Sequence, residues 1–143
     1  MPEGLDRFVA AQDPVWPQVV AELAAGRKRS HWMWFVFPQL AGLGASAMSV
    51  RYALASRGEA SAYLAHSPLG ARLRTATDLM LGHAGTPAQA ILGGVDAMKF
   101  RSSMTLFHAA APGEPRFAAA LDAFFAGKED PRTRAILGRS DGR

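Results

Sequence analysis

"GRKRSHWMWFVFPQL", Gly26–Leu40, decides how this chain has to fold. Arg27, Lys28, Arg29 and Ser30 run straight into a segment that holds Trp32, Trp34, Phe35 and Phe37. His31, Trp34, Phe35 and Pro38 fall at i, i+3, i+4 and i+7, one face of a helix, while Trp32 and Phe37 point elsewhere. A segment apolar nearly all round has to be buried. Ser30 reads as the N-cap of a helix through the aromatics, and Pro38 ends it. Trp32 to Phe37 also has the strongest claim in the chain to be strand or irregular. Burial carries Ser30, His31 and Gln39 inward, and each indole N–H then needs a partner. Two readings follow. The stretch is a core segment with satisfied polar ends, or it is the wall of a site, where a planar ring stacks on Trp32 or Trp34 and Gln39 reads its edge.

Helical spacing continues on both sides. Leu5, Phe8, Val9 and Gln12 share a face before Asp13-Pro14 breaks it. Trp16, Val19, Val20 and Leu23 make a second face, stopped by Gly26. Ser46 to Leu54 and Glu59 to His66 fit short helices, and Pro68 opens a longer one carrying Leu69, Leu73, Ala76, Leu79 and Met80. Thr86-Pro87-Ala88-Gln89 reads as a capping box, Asp96 as the N-cap of "AMKFRSSMTLFHAA", and Asp130-Pro131 as a cap followed by proline at the first helical position. No stretch gives a convincing strand, and no repeat or long linker divides the chain. The expected fold is all-α: a single compact domain over 1–143 of about eight short helices with Gly/Pro-rich breaks, and a frayed tail at 138–143.

The bulk composition suits that fold. The chain has 143 residues, 49% hydrophobic and 20% charged, enough apolar material for one core. It has no cysteine, which removes disulfides, thiolate metal sites and cysteine nucleophiles. No apolar run approaches the roughly 20 residues of a membrane span, and "MPEGLDRFVAAQDP" has no signal-peptide pattern. The expectation is a soluble cytoplasmic protein. The net charge of +4 favours anionic partners slightly. A nucleic-acid binder shows a longer basic stripe than Arg27–Arg29, so nucleic acid is not the expected partner.

Few residues arrange themselves for chemistry. His31, His66, His83 and His108 have no ligand spacing, so no metal or other cofactor is expected. No glycine-rich loop or nucleophile elbow is present. Asp78, Asp96 and Asp122 read as the acids set in apolar helical segments. The second unusual stretch is "KFRSSMTLF", Lys99–Phe107. Phe100, Ser103, Met104 and Phe107 share a helix face, with Ser102 beside it and the cations Lys99 and Arg101 flanking. Small residues that let helices pack closely explain it, and so do hydroxyls and cations converging on an anionic group.

These motifs also carry a resemblance. "GRKRSHWMWFVFPQLAGLG", "ILGGVDAMKFRSSMTLF" and "FAAALDAFFAGKEDPRT" resemble the family catalogued as domain of unknown function 1810, some members of which bear a misleading calpastatin label. The resemblance covers nearly the whole chain. It implies a compact, mainly α-helical bacterial domain, with no established activity and no agreed catalytic residues. The family pattern in the second motif is "DDxKLRSSMT", whereas this chain reads Val95-Asp96-Ala97-Met98-Lys99-Phe100 and lacks the acid beside Asp96.

The expected function is binding of a small anionic or nucleotide-like ligand, with hydrolysis as an open option. Ser30, Trp34, Gln39, Lys99, Arg101, Ser102 and Ser103 are the expected ligand-binding residues, converging on one cleft. His31, whose free pKa lies nearest neutrality, is the expected general acid or base. The alternative is an RNA- or protein-interaction module using the basic-aromatic segment 27–39, which would need rings open to solvent.

Overall fold

Regular apolar spacing, cut short again and again by Gly and Pro, produces a string of short helices. The computed structural model describes residues 4–140. Its helices are α1 (Asp6–Gln12), α2 (Trp16–Ala25), α3 (Met33–Val36), α4 (Ala47–Arg51) and α5 (Arg57–Ala65). They continue with α6 (Leu69–Leu81), α7 (Ala88–Leu92), α8 (Gly94–Ala110), α9 (Pro115–Phe125) and α10 (Pro131–Ser140). The chain is a single compact all-α domain, and no strand occurs among the described residues. Ten helices occur among the described residues, against the expected eight or so, and α3, α4 and α7 are elements of only four or five residues. Gly138 to Ser140 complete α10, and the rest of the expected frayed tail lies outside the described residues.

The longest helix, α8, is the hub, packed against α5, α7, α9 and α10. Its Phe100, Met104 and Phe107 are fully buried. Phe37 meets Phe100 edge-on at 4.9 Å, and Tyr63 and Phe117 flank Phe107. Such ring pairs each add about 0.5–1.5 kcal/mol beyond the area they bury. On the far side Gly70 lets α6 lie against the end of α5, since a Cβ there would stand 2.0 Å from the Leu64 carbonyl oxygen.

Three expected caps are placed differently. Asp130 does cap α10, its Oδ2 accepting from Thr133 N–H at 2.9 Å. Asp96 instead sits in the first turn of α8, which begins at Gly94. Pro87 stands at the N-cap of α7, where no side chain bonds the helix end. Ser30 does not cap α3 either: Trp32 holds that position, and the Ser30 hydroxyl is used elsewhere.

That other use explains the opening stretch. Gly26 closes α2 with φ 73°, a left-handed turn that sends Gly26 N–H to Leu23 O and Arg27 N–H to Glu22 O. The turn returns the chain over the Glu22 carboxylate, which is only 4% exposed. Oε1 accepts from Arg29 N–H (2.8 Å), Ser30 N–H (3.0 Å) and Trp32 Nε1–H (2.9 Å). Oε2 accepts from the Ser30 hydroxyl (2.5 Å) and Gln18 Nε2 (2.6 Å). Lys28 is half-buried, with its side chain largely covered: its Nζ lies 2.8 Å from Asp96 Oδ2 and stacks over the Trp32 ring, and its N–H bonds Ile91 O. Residues 26–32 are therefore a strap from α2 to the start of α8, and they deliver the aromatic segment to the core. Glu22 joins Asp78, Asp96 and Asp122 as an acid in an apolar helix, and it is the one buried in the strap.

Burial by itself raises the Glu22 carboxyl, but the Ser30 hydroxyl, the Arg29 N–H, Gln18 and the Ser30 N–H more than offset it and hold the group well below the usual carboxylate range. A carboxyl depressed on folding stabilises the fold fully above its unfolded value near 4.5, and that contribution shrinks as pH falls from there toward the folded pKa. Glu22→Gln should lower the unfolding free energy in urea by about 2–4 kcal/mol at pH 7, since it replaces one acceptor oxygen by an NH2 donor that faces buried donors. Between pH 6 and pH 3 the wild type should lose more stability than the variant. Parallel pH profiles would remove Glu22 from this role.

Candidate functional site

Val95, Met98, Lys99 and Ser102 fall at i, i+3, i+4 and i+7, and that face of α8 forms one wall of an open cleft of about 350 Å³. The opposite wall comes from the loop after the aromatic segment, through Gln39, Leu43 and Gly44, together with Ser49 of α4. The loop is held where it is by a bridge between Leu40 and Leu54, with Leu54 N–H to Gln39 O at 2.9 Å and Ala41 N–H to Leu54 O at 2.8 Å. Gly44 is required there, because a Cβ would stand 2.6 Å from the Ser49 side chain. Asp130 and Arg132, at the start of α10, close the end of the cleft.

The "RSSMT" stretch of α8 positions α10. Arg101 donates from Nε to Lys128 O and from Nη2 to Glu129 O, both at 2.8 Å. Thr105 Oγ1 accepts from Asp130 N–H at 2.9 Å. The Ser102 hydroxyl lies 3.2 Å from Asp130 Oδ2 and 3.2 Å from Met98 O. These contacts seat residues 128–130 on α8, so that Asp130 caps α10 and Arg132 reaches the cleft. Arg132 Nη2 bonds Leu43 O across the mouth at 3.0 Å.

The expected site residues divide accordingly. Gln39, Lys99 and Ser102 share the cleft. Trp34 is half-buried and touches its edge through Lys99, whose Nζ lies 5.2 Å from the ring centroid. Arg101 serves the 128–130 backbone instead of the cleft. Ser103 is fully buried on the core side of α8, and its hydroxyl has no partner among the described residues. Ser30 bonds Glu22, and His31 is exposed; neither lines the cleft.

Sequence reading missed Asp130 and Arg132 as members of the cleft, along with Ser49. The signal for two of them was present: an N-cap acid, a proline and an arginine at the second helical position place one charge of each sign at a helix start.

Electrostatically the cleft is weakly positive. Asp96 sits between two lysines, 2.8 Å from Lys28 and 3.7 Å from Lys99. That trio keeps one positive charge, with Lys99 its cleft-facing member. Asp130 and Arg132 offset each other in formal charge. No group of His, Asp and Glu that could hold a metal ion occurs among the described residues. A smaller cleft of about 260 Å³ lies between His108, Asp122, Gly127 and Glu129, and none of the expected site residues lines it.

Comparison with known proteins fixes the family. The family described as protein of unknown function (DUF1810) matches residues 2–137, and the chain belongs to it. The chain is 51% identical to the conserved hypothetical protein Rv1873 from Mycobacterium tuberculosis, whose crystal structure was determined at 1.38 Å. That likeness covers 96% of this chain and 99% of the other, with a TM-score of 0.93, so the two share one fold. No curated protein matches the chain.

If Asp130 seats α10, Asp130→Ala should cost about 1–2 kcal/mol in denaturant unfolding, the usual loss for an N-cap. Amide exchange should accelerate through residues 131–137 more than in α8. Unchanged exchange in α10 would show that the cap does not hold it.

Proposed function

We propose that the domain binds a small organic anion in the cleft between α8, the 39–49 loop and the start of α10. The observation that carries this reading is the company Lys99 keeps. Lys99 lines a cleft of about 350 Å³ together with Arg132, Gln39 and Ser102. Such a volume falls in the usual range of small-molecule sites. Arg132 brings a planar fork that matches a carboxylate or phosphate, and Lys99 brings a compact charge. A nucleotide-like ligand is one member of this class, with Gln39 able to read a base edge.

The reading is one of binding. Among the described residues the cleft lining has a single carboxylate, Asp130, and that group is occupied in capping α10. His31 stands outside the lining, so no acid–base pair faces the space where a ligand would sit. The alternative of an RNA- or protein-binding surface along residues 27–39 needs open rings, whereas Trp32, Phe35 and Phe37 are buried, and Lys28 is tied to Asp96.

Titration with inorganic phosphate and with a nucleoside monophosphate, followed by amide chemical shifts, tests this. Shifts should concentrate at residues 95–102 and 130–132. Lys99→Ala and Arg132→Ala should each weaken binding about fivefold, the loss of one charge-assisted hydrogen bond at a half-open site. Arg101→Ala should lower stability and weaken binding less than either cleft variant, because Arg101 acts only through the seat of residues 128–130. Binding that neither Lys99→Ala nor Arg132→Ala affects would remove the cleft from the account.

A further inference from the structure

Charge alone does not explain what lines this cleft. The large hydrophobic side chains left exposed among the described residues are Val50 at 65%, Val95 at 74% and Met98 at 51%. Val95 and Met98 both line the cleft, whereas Val50 does not. Leu43 adds a half-buried apolar surface on the facing wall. Two of the three large hydrophobic side chains that folding leaves uncovered among the described residues therefore meet at one opening, beside Lys99 and Arg132.

We infer that the ligand is an organic anion with an apolar limb, an acyl or aryl carboxylate, its head between Lys99 and Arg132 and its limb lying on Val95 and Met98. This rests on the anion reading of the same cleft and narrows it. The thioether of Met98 adapts to limbs of different shape, and Val95 at the start of α8 gives a fixed apolar edge. The Lys99 ammonium lies 5.2 Å from the Trp34 ring centroid, so the cation that meets the head group is itself held over an aromatic face at the edge of the cleft.

The test is an NMR titration of the full chain with hexanoate, acetate and hexanamide, read at the Met98 methyl and at the amides of Lys99 and Ser102. Hexanoate should bind at least about tenfold more tightly than acetate, a fraction of what full burial of the longer chain would give, because the rim stays half open. Hexanamide should bind more weakly than hexanoate. Val95→Ser combined with Met98→Gln, both at exposed positions, should bring hexanoate to the level of acetate and leave acetate unchanged. Equal affinities for hexanoate and acetate would overturn the apolar limb and leave the anion reading standing. Hexanamide binding as tightly as hexanoate would overturn the anionic head, and with it both readings. Absence of shifts with all three would do the same.

Discussion

A single buried carboxylate organises the part of the chain on which everything else depends. Glu22 stands on the core side of α2 and would be costly there alone, since a charge taken from water needs full compensation. Two backbone N–H groups, an indole N–H, a hydroxyl and an amide converge on its two oxygens within 3.0 Å. Four of those five donors belong to residues 29–32. The carboxylate therefore fixes the path of the chain after Gly26 and sets where Trp32 enters the core. Lys28, pinned between Asp96 and the Trp32 ring, ties that path to the start of α8. The basic residues and the aromatics lie together because Lys28 and Ser30 secure the strap that carries the rings inside.

The same economy recurs in the middle of α8. Arg101, Ser102 and Thr105 spend their hydrogen bonds on the backbone and carboxylate of residues 128–130. A helix face that mixes hydroxyls with phenyl rings thus serves two partners. Phe100, Met104 and Phe107 face the core, while the polar positions between them dock α10. The cleft is a by-product of both fastenings. One brings Gln39 and the 39–49 loop to one side of α8, and the other brings Asp130 and Arg132 to its end. Lys99 lies between them, where its charge is only partly met by Asp96.

The helical class was legible because its signals are local. Apolar spacing, Gly26 and Asp130-Pro131 each act within a turn or two of sequence. Gln39, Lys99 and Ser102 were legible as members of one cleft because each is a polar group beside residues too apolar to stay in water. Ser30 was misplaced for an instructive reason: an N-cap serine and a serine that donates to a distant carboxylate look the same until the chain is folded. Glu22 was overlooked, although it falls three residues after Val19 and next to Leu23 on the buried face of α2, where an unpaired acid should have prompted a search for donors. Arg101 and Ser103 were assigned to the cleft as a cation and a hydroxyl converging with Lys99 and Ser102 on an anionic group. Successive helix residues differ in direction by about 100°, and that rotation sends one to the 128–130 backbone and the other into the core.

Hydrogen exchange at the Trp32 indole N–H, with the amides of Arg29 and Ser30, tests the central claim most directly. These groups lie in a stretch without regular helix, where exchange would otherwise be fast. If Glu22 holds the strap, all three should exchange as slowly as the amides in the middle of α8, through global unfolding alone. Exchange orders of magnitude faster than in α8, with the fold intact, would mean that the strap opens freely and that Glu22 does not fix the path of the chain.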